Sequence, residues 1–224
     1  MVRSFHRLAL AGVLTFVGIQ SASATVVSYT SPVAFASAIT GATTYNFEGI
    51  APPNGLSVGN PTVGGVTFAS NGTPFVVDAG SNPTYGVSFF SGQGNAANSP
   101  ANEVDITLSG FKAIGFFYGS YISLNEPYSV TLSTGDVFNI STPANTADLN
   151  FIGFISDAAD INSVGLVSLA GLNNPDPNQT QGFGFAFDIT SFTVGNATVV
   201  PEPGSSVLLA LGLAGLGLTR SRRS

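Results

Sequence analysis

The sequence predicts an all-β body, an antiparallel β-sandwich of the jelly-roll type with one short N-terminal helix. Three observations support this prediction. Runs of alternating apolar and polar residues recur through the middle of the 224-residue chain, clusters of Gly, Asn, Asp and Pro separate them, and one short stretch alone has helical features. Because the chain has no cysteine, no disulfide can brace the fold, so residues 25–198 must be held together by a hydrophobic core.

Residues 1–24 have the three parts of a secretory signal peptide. Arg3 and Arg7 form a positive start, an apolar run too short to span a bilayer follows, and Ala22-Ser23-Ala24 supplies the small residues of a cleavage site after Ala24. An uncleaved anchor and a buried helix are the alternatives, but neither explains all three parts in this order. The mature chain is therefore expected to begin at Thr25, outside the cytoplasm.

The elements of the body follow from local patterns. SPVAFASAI (31–39) predicts the one helix, because Ser31 can cap it and Pro32 fits the first helical position. In EVDITLSG (103–110) every second residue is apolar, which is typical of a half-buried strand. YSVTLSTGDVFNI (128–140) repeats this pattern on both sides of STGD and predicts a hairpin. Further β-rich runs are FKAIGFFYGSYI, LNFIGFIS, INSVGLVSL and GFAFDITSFTV.

The charge of the body excludes several classes of partner. Between Thr25 and Val200 the chain has one basic residue, Lys112, and eleven acidic residues, a net charge of −10. Such a surface cannot neutralise a row of phosphates, which excludes nucleic-acid binding, and it is repelled by anionic lipid.

The residue types needed for most hydrolytic chemistry are missing from the body. The one histidine, His6, lies in the signal peptide, and the chain has no cysteine. Catalytic triads, zinc hydrolysis and phosphoryl transfer therefore lack their usual participants. A glycosidase needs only two carboxylates and stays open as an alternative. Most of the acids, however, lie in turn-forming contexts, among them Asp136, Asp157, Asp160 and Asp176.

Two acids stand in strand contexts instead. Glu48 follows Phe47 in NFEG, and Asp188 lies between Phe187 and Ile189 in FAFDIT. If the first and last strands of the sandwich lie side by side, these carboxylates can meet at a hard cation, with Ca²⁺ favoured outside the cell. Alternation places both carboxylates on the outer face of the sheet.

The stretch GFFYGSYISLNEPY (115–128) concentrates aromatic residues beside polar ones. Sugars bind aromatic faces through C–H groups and use amides and carboxylates for their hydroxyls. The candidate carbohydrate-binding residues are therefore Tyr118, Tyr121, Asn125 and Glu126, with the two tyrosines expected to be exposed. The alternative is that this aromatic strand belongs to the core.

Residues 199–224 form a second terminal signal. Pro201, Glu202 and Pro203 precede the apolar segment 204–219, and Arg220, Arg222 and Arg223 follow it. A helix of sixteen residues is about 24 Å long, short of the roughly 30 Å hydrocarbon layer, so it spans a membrane only with thinning or snorkelling. A core helix is the alternative, but the glycines in 204–219 weaken it and the prolines separate it from the preceding strand.

This order of features resembles the PEP-CTERM sorting signal of Gram-negative, exopolysaccharide-producing bacteria. The resemblance implies recognition by a membrane-embedded exosortase and transient association with the inner membrane. The tail would then be removed and the body delivered to the cell surface or the extracellular polysaccharide matrix. The predicted organisation of the chain is therefore a signal peptide (1–24), an extracellular β-sandwich (25–198) and a sorting signal (199–224).

The body also resembles the extracellular domain often found upstream of PEP-CTERM tails, which is itself similar to jelly-roll carbohydrate-binding modules. YNFEGI, GVTF, FIGFIS, INSVGLVS and FAFDITSFTV carry this resemblance. Related modules hold a structural Ca²⁺ where their first and last strands meet, commonly with two acids in the final strand, where this chain has only Asp188. The sequence therefore predicts an exported, non-enzymatic surface or matrix protein sorted by an exosortase. A carbohydrate-binding module is the main alternative, and an acid-only glycosidase a further one.

Overall fold

A computed structural model of the chain describes residues 25–81, 84–95, 103–121, 124–169 and 183–198. The predicted signal peptide with Ala22 and Ala24, the turn at Asp176 and the whole sorting tail lie outside these ranges. In the part of the chain that the structure describes, no helix is long and apolar enough to cross a membrane.

The described residues form one helix and fourteen strands. The helix α1 is Pro32–Ser37 and lies between β1 and β2. The strands are β1 Val26–Tyr29, β2 Ile39–Asn46, β3 Leu56–Val58, β4 Thr62–Val63, β5 Val66–Ser70, β6 Pro74–Val77, β7 Phe89–Asn95, β8 Glu103–Thr107, β9 Ala113–Gly119, β10 Pro127–Leu132, β11 Val137–Ser141, β12 Asn150–Ser156, β13 Ser163–Ser168 and β14 Phe183–Ala197.

The strands build two antiparallel sheets. The larger sheet has the order β1-β12-β9-β14-β7-β6-β3, and β2 also pairs with β14. The smaller sheet has the order β11-β10-β13-β8-β5-β4. The predicted antiparallel β-sandwich with one short N-terminal helix is therefore confirmed.

Aromatic side chains from both sheets fill the space between them. Phe68 of the smaller sheet lies 5.4 Å from Phe90 and 5.0 Å from Phe192 of the larger sheet, measured between ring centroids. Tyr128 lies 4.9 Å from Phe187 in the same way. Offset and edge-on rings at these distances stabilise a core beyond the area that they bury. This aromatic core replaces the disulfides that the sequence cannot form.

The helix covers one end of the outer face of the larger sheet. Ser31 caps it as predicted, since its Oγ accepts a hydrogen bond from the Ala34 N–H at 3.3 Å. Phe35 packs over Gly153, where a Cβ atom would lie only 2.5 Å from the phenyl ring. The helix therefore sits on a depression that a glycine leaves in the sheet.

The predicted hairpin is also present. β10 and β11 pair antiparallel, and Asp136 closes the turn by accepting a hydrogen bond from Thr134 Oγ1 at 2.7 Å. Gly135 has φ of 92°, a backbone conformation that favours glycine. The turn acid thus has the structural role that its sequence context indicates.

Candidate functional site

Asp188 occupies the middle of β14, the longest described strand of the larger sheet. Its neighbours Phe187 and Ile189 belong to the core between the sheets, so the Asp188 side chain points to the opposite, outer face. The outer face is where alternation places it. The side chain is nevertheless 0% exposed.

Two segments from other parts of the chain cover Asp188. The Tyr85 hydroxyl donates to Asp188 Oδ2 at 2.9 Å, and the main-chain N–H of Tyr121 donates to the same oxygen at 3.0 Å. The buried ring of Phe89 lies edge-on to Tyr85, with centroids 5.0 Å apart, and 6.3 Å from Tyr121. We refer to Tyr85, Phe89, Ser91, Tyr121 and Asp188 together as the Asp188 cluster.

One oxygen atom of the Asp188 carboxyl group, Oδ1, has no hydrogen-bond partner among the described residues. Ser91 on β7 is its register partner across the sheet. Among the described residues, neither Asp188 Oδ1 nor Ser91 Oγ has a hydrogen-bond partner, although both atoms are buried. The Ser91 hydroxyl is near enough to act on the carboxyl group electrostatically without meeting hydrogen-bond geometry. Buried polar atoms without partners are rare, and this pair marks an unusual site.

Burial raises the pKa of Asp188 to about 7, because a charged carboxylate is costly away from water. The hydroxyls of Ser91 and Tyr85 and the N–H of Tyr121 favour the charged form and oppose this rise. A protonated Asp188 has an O–H group to donate, and Ser91 Oγ is the acceptor beside it. The carboxyl group is therefore balanced between its two protonation states near neutral pH.

Tyr85 remains a hydrogen-bond donor throughout this range. Burial is the largest cause of its raised pKa. The charge of Asp188 and the hydrogen bond to it raise the pKa further, and Tyr121 makes a smaller contribution. A neutral tyrosine beside a carboxylate can only donate through its hydroxyl hydrogen. The direction of the Tyr85–Asp188 hydrogen bond is therefore fixed.

Gly119 makes room for this arrangement. It is the register partner of Asp188 on β9. A Cβ atom on Gly119 would lie 2.8 Å from Tyr85 Oη and 3.0 Å from the main-chain oxygen of Asp148. Both distances are shorter than ordinary contacts, so the close approach of Tyr85 to the sheet requires a glycine at this position.

Glu48, the other predicted metal ligand, is exposed and engaged elsewhere. Its Oε1 accepts from the Ser88 N–H at 2.8 Å, and its Oε2 accepts from Ser88 Oγ at 2.9 Å. The strand before it, β2, does pair with β14, with Asn46 opposite Ser191. Glu48 and Asp188 share none of these partners, although both bind residues of the segment 85–91.

The described residues do not fit a Ca²⁺ site. Ca²⁺ takes six to eight oxygen ligands. The described part of the chain contains no group of three or more His, Cys, Asp or Glu residues that could hold a metal ion. Near Asp188 the oxygens without partners are Asp188 Oδ1 and Ser91 Oγ. A calcium site at Glu48 and Asp188 stays a prediction of the sequence.

The exposure predicted for Tyr118 is wrong. Its side chain is 4% exposed, stacks on Phe187 with ring centroids 5.1 Å apart, and donates its hydroxyl to the Ser141 main-chain oxygen at 3.2 Å. Alternation along β9 turns Tyr118 inward, where it joins the core between the sheets. The alternative assignment of this aromatic strand to the core applies to Tyr118.

The remaining candidate residues lie near the start of β10. Tyr121 is half-buried and Asn125 is exposed, with a left-handed φ of 53°. Glu126 is buried, and its Oε1 accepts from Ser168 Oγ at 2.5 Å. A buried carboxylate that is held in this way ties β10 to the end of β13.

The sequence did not single out Phe89, Ser91 or Tyr85 of this site, and among these Tyr85 supplies the side-chain donor to Asp188. It is half-buried and lies in a Pro/Gly-rich loop, GSNPTYG (80–86), where alternation gives no information. An aromatic residue in such a polar loop is the one signal that could have drawn attention to it.

Comparison with known proteins bears first on the C-terminal tail. Residues 199–223 match the PEP-CTERM protein-sorting motif, which confirms the predicted identity of the tail. No curated protein matches the chain in sequence.

Several solved structures are distantly similar to the body. A variant of a family 29 carbohydrate-binding module is 10% identical over 71% of this chain and 96% of its own, with a TM-score of 0.36. A family 35 carbohydrate-binding module from Cellvibrio japonicus is 15% identical over 70% of this chain and 94% of its own, with a TM-score of 0.33. A cleaved adhesin domain of Lys-gingipain is 13% identical over 69% and 97%, with a TM-score of 0.37.

Proposed function

We propose that this protein is exported, processed at its C-terminus by an exosortase and delivered to the cell surface or exopolysaccharide matrix of a Gram-negative bacterium. The observation that carries the proposal is the sorting motif at residues 199–223. Pro201, Glu202 and Pro203 form the recognition element, and segment 204–219 holds the protein in the inner membrane for a time. The arginines after it stay on the cytoplasmic side, in accordance with the positive-inside rule.

The shortness of the apolar segment 204–219 supports the proposal that it anchors the protein only temporarily. A helix of about 24 Å is a poor match to a hydrocarbon layer of roughly 30 Å, and the mismatch costs free energy for as long as the segment remains in the membrane. Removal of the tail ends this cost. A segment that is meant to be cut off does not need the length of a permanent anchor.

We propose further that the body acts without catalysis. Between Thr25 and Val200 there is no histidine, cysteine or arginine, so most acid–base and nucleophilic chemistry lacks its participants. The buried carboxyl group of Asp188 is covered by Tyr85 and Tyr121. These contacts give Asp188 a structural role under the two segments that cover it.

Contact with polysaccharide is a second proposed role, and the partly exposed rings of Tyr85 and Tyr121 support it. Both tyrosines are half-buried on the outer face of the larger sheet, where Asp188 accepts hydrogen bonds from the Tyr85 hydroxyl and from the Tyr121 main-chain N–H. Asp148 and Asn145 are exposed close by and are joined by a hydrogen bond of 2.7 Å. Fixed aromatic rings beside amides and carboxylates suit sugar C–H groups and hydroxyls. The net charge of −10 favours a neutral polysaccharide over an acidic one.

The sorting proposal is tested by changing the recognition element in the native host. A variant with Pro201→Ala, Glu202→Ala and Pro203→Ala is expected to accumulate in the membrane fraction with its tail attached. A matched control, Pro175→Ala with Asp176→Asn and Pro177→Ala, alters a second Pro-acid-Pro triplet in the body and should be sorted normally. Unchanged processing of the first variant would count against the proposal.

The polysaccharide proposal is tested by co-sedimentation of the full chain with neutral polysaccharide from the host. Tyr121→Ala is expected to reduce binding at least several-fold while leaving the main-chain hydrogen bond to Asp188 available. Tyr29→Ala, which removes a half-buried tyrosine from β1 at one edge of the same sheet, away from the central strand β14, is the control and should bind normally. Equal binding by both variants would show that the Tyr121 ring is not part of the contact.

A further inference from the structure

Two reciprocal hydrogen bonds join the first residue of the body to the turn after β12. The Thr25 N–H donates to Asp157 Oδ1 at 2.9 Å, and the Asp157 N–H donates to the Thr25 main-chain oxygen at 3.2 Å. They continue the antiparallel register of β1 and β12, in which Val26 pairs with Ser156. An acidic side chain therefore holds the nitrogen atom that begins the body.

Thr25 is also the residue that follows the cleavage pattern Ala22-Ser23-Ala24. Hydrolysis of the Ala24–Thr25 peptide bond by a signal peptidase adds one water molecule across that bond. It leaves a carboxylic acid on Ala24, which releases its proton to solvent, and an amine on Thr25. The amine takes up a proton from solvent near neutral pH. The nitrogen that donates to Asp157 thereby changes from a neutral amide to a cation.

We propose that cleavage after Ala24 converts the hydrogen bond between Thr25 and Asp157 into an ion pair between an ammonium group and a carboxylate, and that this ion pair strengthens the attachment of β1 to β12 in the processed protein. The proposal rests on the export step of the proposed function and is independent of exosortase processing at the other end of the chain. Proteolysis is then a maturation step that adds a charge to an existing contact of the fold as well as removing the signal peptide.

The position of β1 explains why an ion pair at Thr25 would stabilise it. β1 has four residues, lies at the edge of the larger sheet and pairs with β12 on one side. Its Val27 is 49% exposed, and Val26 and Tyr29 are only partly buried against the core, so burial holds the strand incompletely. A short edge strand at a chain terminus frays readily. A charge-assisted hydrogen bond is stronger than a neutral one and acts at the end that would fray first.

The surroundings of Thr25 leave Asp157 as its direct partner. The other ionisable side chains on the adjoining segments are Asp160, on the same turn as Asp157, and Lys112, whose main-chain oxygen accepts from the Ser156 N–H. Within the described ranges, the hydrogen bonds of Thr25 are to Asp157 and reach neither Asp160 nor Lys112. Asp160 is exposed like Asp157 and offers a matched control.

The experiment uses the protein as the host exports and processes it. Mass spectrometry first identifies the N-terminal residue, and any residue other than Thr25 overturns the proposal. The α-amine is then acetylated, which removes its charge and leaves an amide N–H that can still donate to Asp157. Because Lys112 carries the one other amine between Thr25 and Val200, all proteins carry Lys112→Arg to confine the reaction to the N-terminus.

Acetylation is expected to lower the melting temperature by about 1–3 °C in the parent and in Asp160→Asn, as is typical of an exposed ion pair in a domain of this size. Asp157→Asn should show no change on acetylation. The loss in the parent should shrink in high salt, which screens an ion pair and leaves a neutral hydrogen bond largely unaffected. An equal loss in Asp157→Asn and the parent overturns the proposal. The sorting proposal is judged separately, from the C-terminal masses in the same spectra.

Discussion

The Tyr85 hydroxyl donates a 2.9 Å hydrogen bond to Asp188 Oδ2, across 103 residues of sequence. This bond joins a Pro/Gly-rich loop to the central strand of the larger sheet. The loop therefore owes its position to a carboxyl group whose charge changes near neutral pH.

Replacing Asp188 by Asn is expected to stabilise the protein at high pH. Because the pKa of Asp188 is about 7 in the folded protein and lower when unfolded, the folded state binds the extra proton between about pH 4 and pH 7. Wild-type stability from this group therefore falls as pH rises through that window. Across the whole window, the free energy of unfolding decreases by on the order of 4 kcal/mol because of this group. The Asn side chain stays neutral, and its amide group can donate to Ser91 Oγ.

Urea unfolding at about pH 5 and about pH 8 measures this difference. The advantage of Asp188→Asn over wild type should be larger at the higher pH. Asp160→Asn, which changes an exposed acid, should show little such dependence. If the difference in unfolding free energy between Asp188→Asn and wild type is the same at both pH values, Asp188 does not take up a proton on folding in this range.

Tyr85→Phe is expected to destabilise the protein most when Asp188 is ionised. The substitution keeps the ring that packs on Phe89 and removes one donor to Oδ2. A hydrogen bond to a charged group contributes roughly 1.5–3 kcal/mol, against about 1 kcal/mol for a neutral one. Urea unfolding should thus show a larger loss at about pH 8 than at about pH 5. Tyr29→Phe is the control, and an equal effect of the two variants would contradict the assigned role.

Gly119→Ala is expected to cost about 1–3 kcal/mol, because its methyl group would press on Tyr85 Oη and on the Asp148 main chain. Gly165→Ala on β13 is a matched control, since the nearest atom to its Cβ would be 3.6 Å away, an ordinary contact. Chemical denaturation of the two variants compares them directly. If Gly119→Ala is no less stable than Gly165→Ala, then Tyr85 does not lie as close to β9 as the structure places it.

Calcium addition separates two accounts of Asp188. A bound ion would stabilise the folded state by about 2.7 kcal/mol at a hundredfold excess over its dissociation constant. The described contacts of Glu48 and Asp188 favour the opposite result, an unchanged melting midpoint with Ca²⁺ or with a chelator. A rise in midpoint that Asp188→Asn abolishes would establish the metal site predicted from the sequence.

The sandwich, the helix and the hairpin could be predicted from local signals. Alternation in 103–110 and 128–140, the Ser31-Pro32 start and the STGD turn each depend on interactions between near neighbours in sequence. The outer-face orientation of Asp188 follows from the same period of two. These features were predictable because short-range geometry alone determines them.

The surroundings of Asp188 could not be predicted in this way. Its burial depends on a loop tyrosine 103 residues earlier and on a main-chain N–H of Tyr121, 67 residues earlier. No local pattern encodes such contacts. The exposure of Tyr118 is wrongly predicted for a related reason, because aromatic composition does not distinguish an exposed platform from a core strand. The alternation of β9 does distinguish them.

The sorting motif at 199–223 supports the central claim, that this protein is exported and released from the membrane by an exosortase. The most direct measurement is the intact mass of the protein recovered from the cell surface or medium of the native host, with and without its exosortase. When the enzyme is present, we expect a released chain that begins at Thr25 and lacks Arg220, Arg222 and Arg223. Without the enzyme, the chain should keep those arginines and stay in the membrane fraction. Release of the same shortened chain from both strains would show that an exosortase does not release this protein.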